Sequence, residues 1–307
     1  MIPEITYNTL VVLVGAGLLG AGAGVIGSFA VLRRRALMGD ALAHAALPGL
    51  CIAFLVVGEK SLPAMLFGAF VTGVLGTVII SALRRWTRIK EDAAIGIVLS
   101  VFFGAGVVLE QLIQRPSLRG SQAGLNSYIL GRTASMILED VYLIGGVVLL
   151  CVTLVLLLYK EFRLVAFDPA FGQVQGWPVQ RLDLLLMGLI ALAVVIGLPA
   201  VGVVLMAAML ILPAVAARFW TERLGVMLCL SAVFGLAASV IGILLSARYA
   251  RLPAGPTIVL VGTTLFLASA LFAPQRGGVA RWLRQRWFRN EVAKWKELKP
   301  RDQEALR

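Results

Sequence analysis

Residues 36–50 read Ala36-Leu-Met-Gly-Asp40-Ala-Leu-Ala-His44-Ala-Ala-Leu-Pro48-Gly-Leu50. Asp40 and His44, the only histidine of the chain, are four residues apart and therefore share one face of a helix. The remaining residues of the stretch are apolar, glycine or proline, as expected for a helix buried in a membrane. Ionisable groups at bilayer depth are costly, and they usually face a bundle interior or an ion path. The stretch therefore predicts a membrane helix that carries a functional Asp–His pair.

The chemistry of this pair is that of a metal site, because a carboxylate oxygen and an imidazole nitrogen are both metal ligands. Pro48 has no N–H, so the carbonyl of His44 lacks its helical partner and supplies a third oxygen within one turn. The alternative is that Asp40 and His44 hydrogen-bond each other and hold a helix interface together. That alternative explains the pair but not the proline that follows it.

Composition indicates an all-α, polytopic helical membrane protein. The chain is 60% hydrophobic and only 14% charged, whereas soluble domains carry about 25% charged residues. We expect about nine transmembrane helices, in the range eight to ten, because the two spans around Pro199 could be one broken helix and residues 113–137 could hold a short re-entrant piece. Each apolar stretch is long enough to cross a bilayer, and the stretches lie near 5–32, 37–57, 62–83, 93–112, 138–159, 183–198, 200–218, 225–247 and 256–273.

Basic residues are distributed unequally between the two sets of loop ends that these spans define. One set, which includes the C-terminal tail, holds 22 Lys and Arg residues, and the other holds 6. Cytoplasmic loops carry the excess of Lys and Arg, so we expect the N-terminus outside and the C-terminus in the cytoplasm. The net charge of +12 is accounted for by these ends, and no nucleic-acid partner is expected.

Three prolines, inside an apolar span or at the junction of two, each free a backbone carbonyl one turn earlier. Broken helices at the midplane are a recurrent way to build transporter sites, and freed carbonyls are tolerated where they line a cavity. The alternative is a packing kink without functional meaning. The candidate helix breaks near a pathway are Pro48, Pro199 and Pro213.

Residues 160–182 form a loop that is too apolar for a solvated linker and too polar for a span. Asp168 and Pro169 predict the start of a short helix, with a capping side chain followed by proline at the first helical position. Phe171 lies on its apolar face, and Gly176 predicts its end. A displayed apolar helix is a docking element for a partner protein; the alternative is a helix lying on lipid.

Four stretches of the chain, which follow one another in order between residues 20 and 275, resemble the permease subunits of the metal-ion ABC importer family. That family takes up manganese, zinc or ferrous iron in bacteria. Its Leu-x-Gly-Asp-x-x-Ser-His-x-x-Leu-Pro-Gly block is matched apart from Ala43, which stands where the family usually has Ser. Gly172 similarly stands in the loop helix where the family usually has Ala. The stretches are 35–49, 91–97, 167–176 and 201–214, with 255–259 behind the last.

The resemblance implies a transmembrane permease domain over residues 1–275 in the bacterial cytoplasmic (inner) membrane. It implies two cytoplasmic ATPase subunits, a second permease subunit in a homo- or heterodimer, and an extracytoplasmic metal-binding protein. Asp40 and His44 match the family's metal-site positions. The positions that would couple to the ATPase are Phe167, Asp168, Pro169, Phe171 and Gly176.

The chain has no Gly-x4-Gly-Lys-Ser/Thr motif, so a partner would supply the energy, and we expect neither an enzyme nor a bound cofactor.

The transported ion is ranked Mn²⁺, then Fe²⁺, then Zn²⁺, because mixed O/N ligation suits the first two without excluding the third. The runner-up is a gradient-driven secondary transporter that uses Asp40 and His44 as its ion or proton site. A membrane-embedded enzyme such as a metalloprotease would need more metal ligands than Asp40 and His44 provide.

Residues 276–307 predict a basic amphipathic cytoplasmic tail. They hold ten basic and four acidic residues together with Trp282, Trp287 and Trp295. A basic helix with tryptophans is typical of a segment that lies on anionic lipid. The alternative is a contact with the ATPase or with a regulatory module.

Overall fold

The computed structural model describes residues 7–58, 61–113, 131, 133–249, 252–280, 282, 284–289 and 291. Every regular element in these ranges is helical. A single 3₁₀ turn at Thr133–Ser135 precedes α5. The α-helices are α1 (Tyr7–Leu32), α2 (Ala36–Val57), α3 (Leu62–Trp86), α4 (Glu91–Ile113), α5 (Leu138–Leu157), α6 (Tyr159–Phe167), α7 (Pro169–Val174), α8 (Val179–Val201), α9 (Val203–Trp220), α10 (Leu224–Arg248) and α11 (Ala254–Phe272).

Eight of these helices are long and apolar enough to cross a membrane, and α9 provides a shorter apolar helix, Leu205–Trp220. The prediction of an all-α, polytopic membrane protein is therefore confirmed. The predicted loop at 160–182 contains α6 and α7 rather than one helix, because a second helix follows α5 after a break at Leu158, and α8 begins within the same range. The predicted re-entrant piece falls mostly outside the described residues.

The boundary between the two spans around Pro199 lies at Gly202 rather than at the proline. Helix α8 continues through Pro199 to Val201, and Gly202 then adopts a φ of 90°. Glycine reaches this region of backbone space without the steric penalty that a Cβ would bring. The carbonyl of Ala200 accepts a hydrogen bond of 2.7 Å from the Thr133 hydroxyl, so one carbonyl at the buried end of α8 has a partner. Pro48 and Pro213 likewise lie inside continuous helices.

Helix α1 lies at the centre of the bundle, where small residues allow close helix crossings. Its glycines meet backbone atoms of its neighbours: a Cβ on Gly20 would lie 2.5 Å from the carbonyl oxygen of Gly235 in α10. In the same interface the hydroxyls of Ser28 and Ser231 are 2.7 Å apart. Membrane helices associate through such small-residue contacts and interhelical hydrogen bonds, which explains the glycines at this interface.

Replacing Gly27 by alanine should destabilise the bundle. The new Cβ would lie 1.8 Å from the Leu210 carbonyl oxygen of α9, so α1 and α9 would have to separate, at a cost of about 1–3 kcal/mol. Gly17→Ala is the matched control on the same helix, because its nearest neighbour is 4.0 Å away and alanine favours a helix by up to about 1 kcal/mol. Thermal unfolding in detergent measures both; equal stability of the two variants would contradict the packing.

Hydrogen bonds and ion pairs bring several helix termini together at one end of the bundle, which we call the basic end. Arg33, after α1, donates to the Val165 carbonyl of α6 at 2.6 Å. The backbone N–H of Arg276, after α11, donates to the Phe219 carbonyl of α9. The 3₁₀ turn and the α8–α9 turn lie at the opposite end. This separation of basic loop ends agrees with the charge pattern of the sequence.

The tail leaves the bundle at the basic end. Arg276 pairs with Glu222 at 3.1 Å, and the described residues between 278 and 291 are helical. Trp282 and Trp287 are at least half exposed, and the Arg286 guanidinium lies 4.3 Å from the centre of the Trp282 ring. Residues 292–307 lie outside the described residues, and contact of the tail with anionic lipid stays a prediction.

Candidate metal site

The Asp–His pair lies on α2, a helix that is buried along most of its length. Oδ1 of Asp40 and Nε2 of His44 are 3.6 Å apart, and the two side chains are 39% and 19% exposed. The residues between them and the two alanines that follow His44 are fully buried. Among the described side chains between residues 37 and 46, the pair and Leu37 are the ones that are not buried, and they share one face of α2. The helix therefore holds both groups at the edge of the packed core.

The two side chains do not satisfy each other. A separation of 3.6 Å is too long for a hydrogen bond, and Nδ1 of His44 is buried without a hydrogen-bond partner in the described part of the chain. Buried polar atoms normally have partners, so this imidazole is incompletely satisfied. Two ligand atoms that each lie about 2.1 Å from a cation can be up to about 4.2 Å apart. The observed separation is within the range for two ligands of one ion, and it is also within ion-pair distance of the two side chains.

Helix α4 supplies a neighbour that the sequence did not predict. The Phe103 ring packs edge-to-face against His44, with centroids 4.7 Å apart and planes at 77°. Gly106 is one turn further along α4, and a Cβ there would lie 2.8 Å from Leu47, so α4 can approach the proline turn of α2. Because α4 is apolar over most of its length, no pattern in the sequence distinguishes Phe103 from its neighbours.

The glycine after Pro48 has a packing role. A Cβ on Gly49 would lie 2.1 Å from the Gly68 carbonyl oxygen of α3, so these helices touch backbone to backbone. On the other flank, a Cβ on Gly39 would lie 3.4 Å from the Leu210 side chain of α9. Tight contacts on both sides fix the rotation of α2 and hence the direction in which Asp40 and His44 point.

The other predicted helix breaks lie elsewhere. Pro199 lines a cavity of about 380 Å³ at the end opposite the basic end, together with Leu62 and Met136. Pro213 is buried within α9. In the described ranges, no group of three or more His, Cys, Asp or Glu residues is placed to hold a metal ion. Of the predicted site residues, the structure therefore brings together Asp40, His44 and the Pro48 turn.

The short helix predicted after Asp168 forms as α7. Oδ1 of Asp168 accepts a hydrogen bond of 2.9 Å from the backbone N–H of Phe171, and Pro169 occupies the first turn. Gly176 ends the segment with a φ of 81°. Phe167 and Phe171 are more than half exposed. The helix therefore displays aromatic side chains at the basic end of the bundle.

These features define a class: a multi-pass membrane permease whose central helices carry an Asp–His pair and whose basic end displays a short aromatic helix. The family description "ABC 3 transport family" matches residues 6–273, and the chain belongs to that family. Its members are transport components, and this chain is a multi-pass protein of the bacterial inner membrane.

Two relatives show how closely the chain follows named members. It is 48% identical over 287 residues to the manganese transport system membrane protein MntC of Bacillus subtilis, a match that covers 94% of this chain and 66% of that protein. It is 46% identical over 287 residues to the zinc transport system membrane protein TroC of Treponema pallidum, covering 94% and 95%. The chain thus spans just under two thirds of the first relative and nearly all of the second.

A solved structure agrees with the fold. PsaBC from Streptococcus pneumoniae in complex with Fab superposes with a TM-score of 0.79 and 32% sequence identity, covering 92% of this chain and 96% of that chain. The agreement over nearly the whole length extends the family assignment from sequence to architecture.

Proposed function

We propose that this chain is the permease subunit of an ATP-driven importer for a divalent transition metal, and that the ion passes through a site formed by Asp40 and His44. The observation that supports this most strongly is the incompletely satisfied pair on α2. Its facing atoms are separated by 3.6 Å, and the second imidazole nitrogen is buried and unpaired in the described part of the chain.

The pair alone supplies too few ligands for the ion. Asp40 and His44 offer two side chains, and the carbonyl freed by Pro48 adds one oxygen, whereas Mn²⁺ favours octahedral coordination. The side of α2 that carries the pair is also its accessible side. A second permease subunit facing this side would contribute the missing ligands and enclose the pathway, as a homodimer or a heterodimer.

The orientation of the chain in the membrane follows from its charge pattern. The basic end of the bundle carries most of the loop arginines, so it faces the cytoplasm, and the opposite end faces the extracytoplasmic metal-binding protein that delivers the ion. Helix α1 then runs inward and α2 runs outward. Asp40 lies about one turn and His44 about two turns from the cytoplasmic start of α2, on the inner half of the path.

The surface around α7 is suited to the partner ATPases. Phe171 is 52% exposed and Val174 is 87% exposed, which is costly in solvent and favours coverage by a partner. A groove of about 780 Å³ separates α6 from the α9–α10 turn, lined among others by Phe167, Asp168 and Arg223. One ATPase on each permease subunit would dock here.

We rank the transported metal as Mn²⁺ first, Fe²⁺ second and Zn²⁺ third. The names of the relatives include both manganese and zinc systems, so the ranking rests on the ligands. An Asp oxygen with a His nitrogen and no thiolate suits Mn²⁺ or Fe²⁺. Cys51 lies on α2 seven residues after His44, but its thiol contacts the Gly106 carbonyl at 3.9 Å.

The test is metal accumulation in cells that express the chain with its ATPase and its binding protein. Elemental quantification of Mn, Fe and Zn identifies the substrate. Pairing the chain with an ATPase that cannot hydrolyse ATP should reduce accumulation to background. Uptake that persists without ATP hydrolysis but collapses with the proton gradient would instead support the secondary transporter, with Asp40 and His44 as its ion or proton site.

Phe103→Ala should weaken metal binding without abolishing transport. The edge-to-face contact restricts the rotation of the His44 ring, and its loss should lower apparent metal affinity about two- to tenfold. Val101→Ala, at an exposed position on the same helix, is the control. The half-saturating metal concentration for uptake is the readout. An unchanged value for Phe103→Ala would show that the ring does not position His44.

A further inference from the structure

Arg35, which immediately precedes α2, is a buried charge that links three helices. Its side chain is 4% exposed. Its Nη1 donates to both carboxylate oxygens of Asp183 on α8, at 2.9 and 2.8 Å, and its Nε pairs with Glu91 at the start of α4. A buried guanidinium is tolerated only when it is paired and hydrogen-bonded, so these contacts hold the start of α2 against α4 and α8.

The carboxylate of Asp183 also accepts a hydrogen bond from Arg33, which in turn contacts the helix that precedes α7. Nη2 of Arg33 donates to Oδ1 of Asp183 at 2.7 Å, and Nη1 of Arg33 donates to the Val165 carbonyl of α6 at 2.6 Å. Val165 is three residues before Asp168, the cap of α7. Asp183 therefore links two parts of the chain. Arg33 connects it to the end of α6, next to the docking helix α7, and Arg35 connects it to the start of α2. Arg84 of α3 joins these groups by pairing with Glu91 at 3.4 Å. We call them the ionic cluster; its members are Arg33, Arg35, Arg84, Glu91 and Asp183.

The turn that presents the two arginines is itself held in an unusual conformation. Arg34, between them, has a φ of 58° and is the one non-glycine residue with a positive φ in the described ranges. This left-handed conformation is sparsely populated by residues with a Cβ and persists where the surroundings fix it. Here the flanking arginines converge on one carboxylate, so the turn cannot relax without breaking the ion pairs.

We propose that the ionic cluster transmits movement of the docking helix to the metal site, with Asp183 as the positioning residue at its centre. This inference rests on the proposed function. His44 is nine residues beyond Arg35 on one helix, or about 14 Å along its axis, so a displacement of the α2 start moves the ligands as part of a rigid element. Coupling between distant sites is carried by such rigid elements and ion-pair networks.

The test compares variants of the complete transporter in proteoliposomes, by measuring Mn²⁺ uptake and ATP hydrolysis in the same samples. Asp183→Asn should keep ATPase binding and hydrolysis while uptake per ATP falls at least about threefold. Arg33→Gln leaves the ion pairs of Arg35 intact and removes the guanidinium that donates to the Val165 carbonyl. It should therefore show the same fall in uptake per ATP, even if Asp183→Asn assembles poorly. Asp183→Glu, which keeps the charge, should recover part of the coupling.

Arg88→Gln is the matched control, because it neutralises an exposed charge between α3 and α4 at the same end of the bundle, outside the ionic cluster and the docking groove, and it should leave uptake per ATP unchanged. Wild-type uptake per ATP in both Asp183→Asn and Arg33→Gln would overturn the inference. Proportional loss of uptake and hydrolysis in both would also overturn it, by showing that the cluster only supports folding or assembly. Absence of ATP-dependent uptake by the wild type would instead contradict the proposed function.

Discussion

Cells that carry Asp40→Ala or His44→Ala should lose metal uptake almost completely, by at least about 100-fold. Changes in residues that merely support metal ligands commonly cost 10- to 100-fold in affinity, so loss of a ligand itself should cost no less. The fold should survive, because both side chains are partly exposed and neither hydrogen-bonds to the other at 3.6 Å. Elemental quantification of cellular metal, at matched protein levels, measures the effect.

Asp92→Asn is the matched control for the carboxylate. Asp92 is exposed at the start of α4, and its neutralisation should leave uptake near the wild-type level. Uptake retained in both Asp40→Ala and His44→Ala at normal abundance would show that the pair is structural and that the ion takes another route.

Phe171→Asp should abolish stable association with the ATPase. An exposed aromatic side chain on a short displayed helix is the kind of residue that dominates binding energy at an interface, and replacing it with a charge should lower ATPase affinity about 30-fold or more. Uptake should fall with it. Co-purification of the ATPase with the chain, and ATP-dependent uptake, are the measurements.

Two further changes refine this result. Asp168→Ala removes the cap that accepts the Phe171 N–H and should weaken the helix by about 1 kcal/mol, giving a smaller loss of association. Gln175→Ala, at an exposed position after α7, should have little effect. If Phe171→Asp still binds the ATPase normally, the docking surface lies elsewhere, and α7 is better interpreted as a helix that lies on lipid.

The sequence predicted the fold well because membrane helices are defined by local properties. Apolar length marks each span, and the Asp168–Pro169 and Gly176 signals marked a helix that depends only on neighbouring residues. The predicted start of α9 near residue 200 is too early, because a glycine rather than the proline ends α8. Pro199 is tolerated in the last turns of α8, whereas the conformation of Gly202 is what ends the helix.

The candidate site was predictable in part for the same reason. Asp40 and His44 are neighbours through helical periodicity alone, so their proximity needed no tertiary information. Phe103 and Asp183 were missed because their roles depend on which helices pack together. Basic residues at the ends of α1 and α3 were interpreted only as topology signals, although Arg35 is buried in ion pairs. The spacing of residues in one sequence does not indicate which distant residues form such ion pairs.

Direct contact between the ion and His44 can be measured by pulsed EPR on the purified transporter in nanodiscs, with Mn²⁺ as the probe at stoichiometric occupancy. Imidazole ligation predicts a ¹⁴N hyperfine coupling to the bound Mn²⁺ in the wild type. Because His44 is the only histidine of the chain, that coupling should vanish in His44→Ala when the transporter is assembled from two copies of this chain. Mn²⁺ that binds the wild type without any nitrogen coupling, or a coupling that persists in His44→Ala, would contradict the assignment of the pair to the ion path.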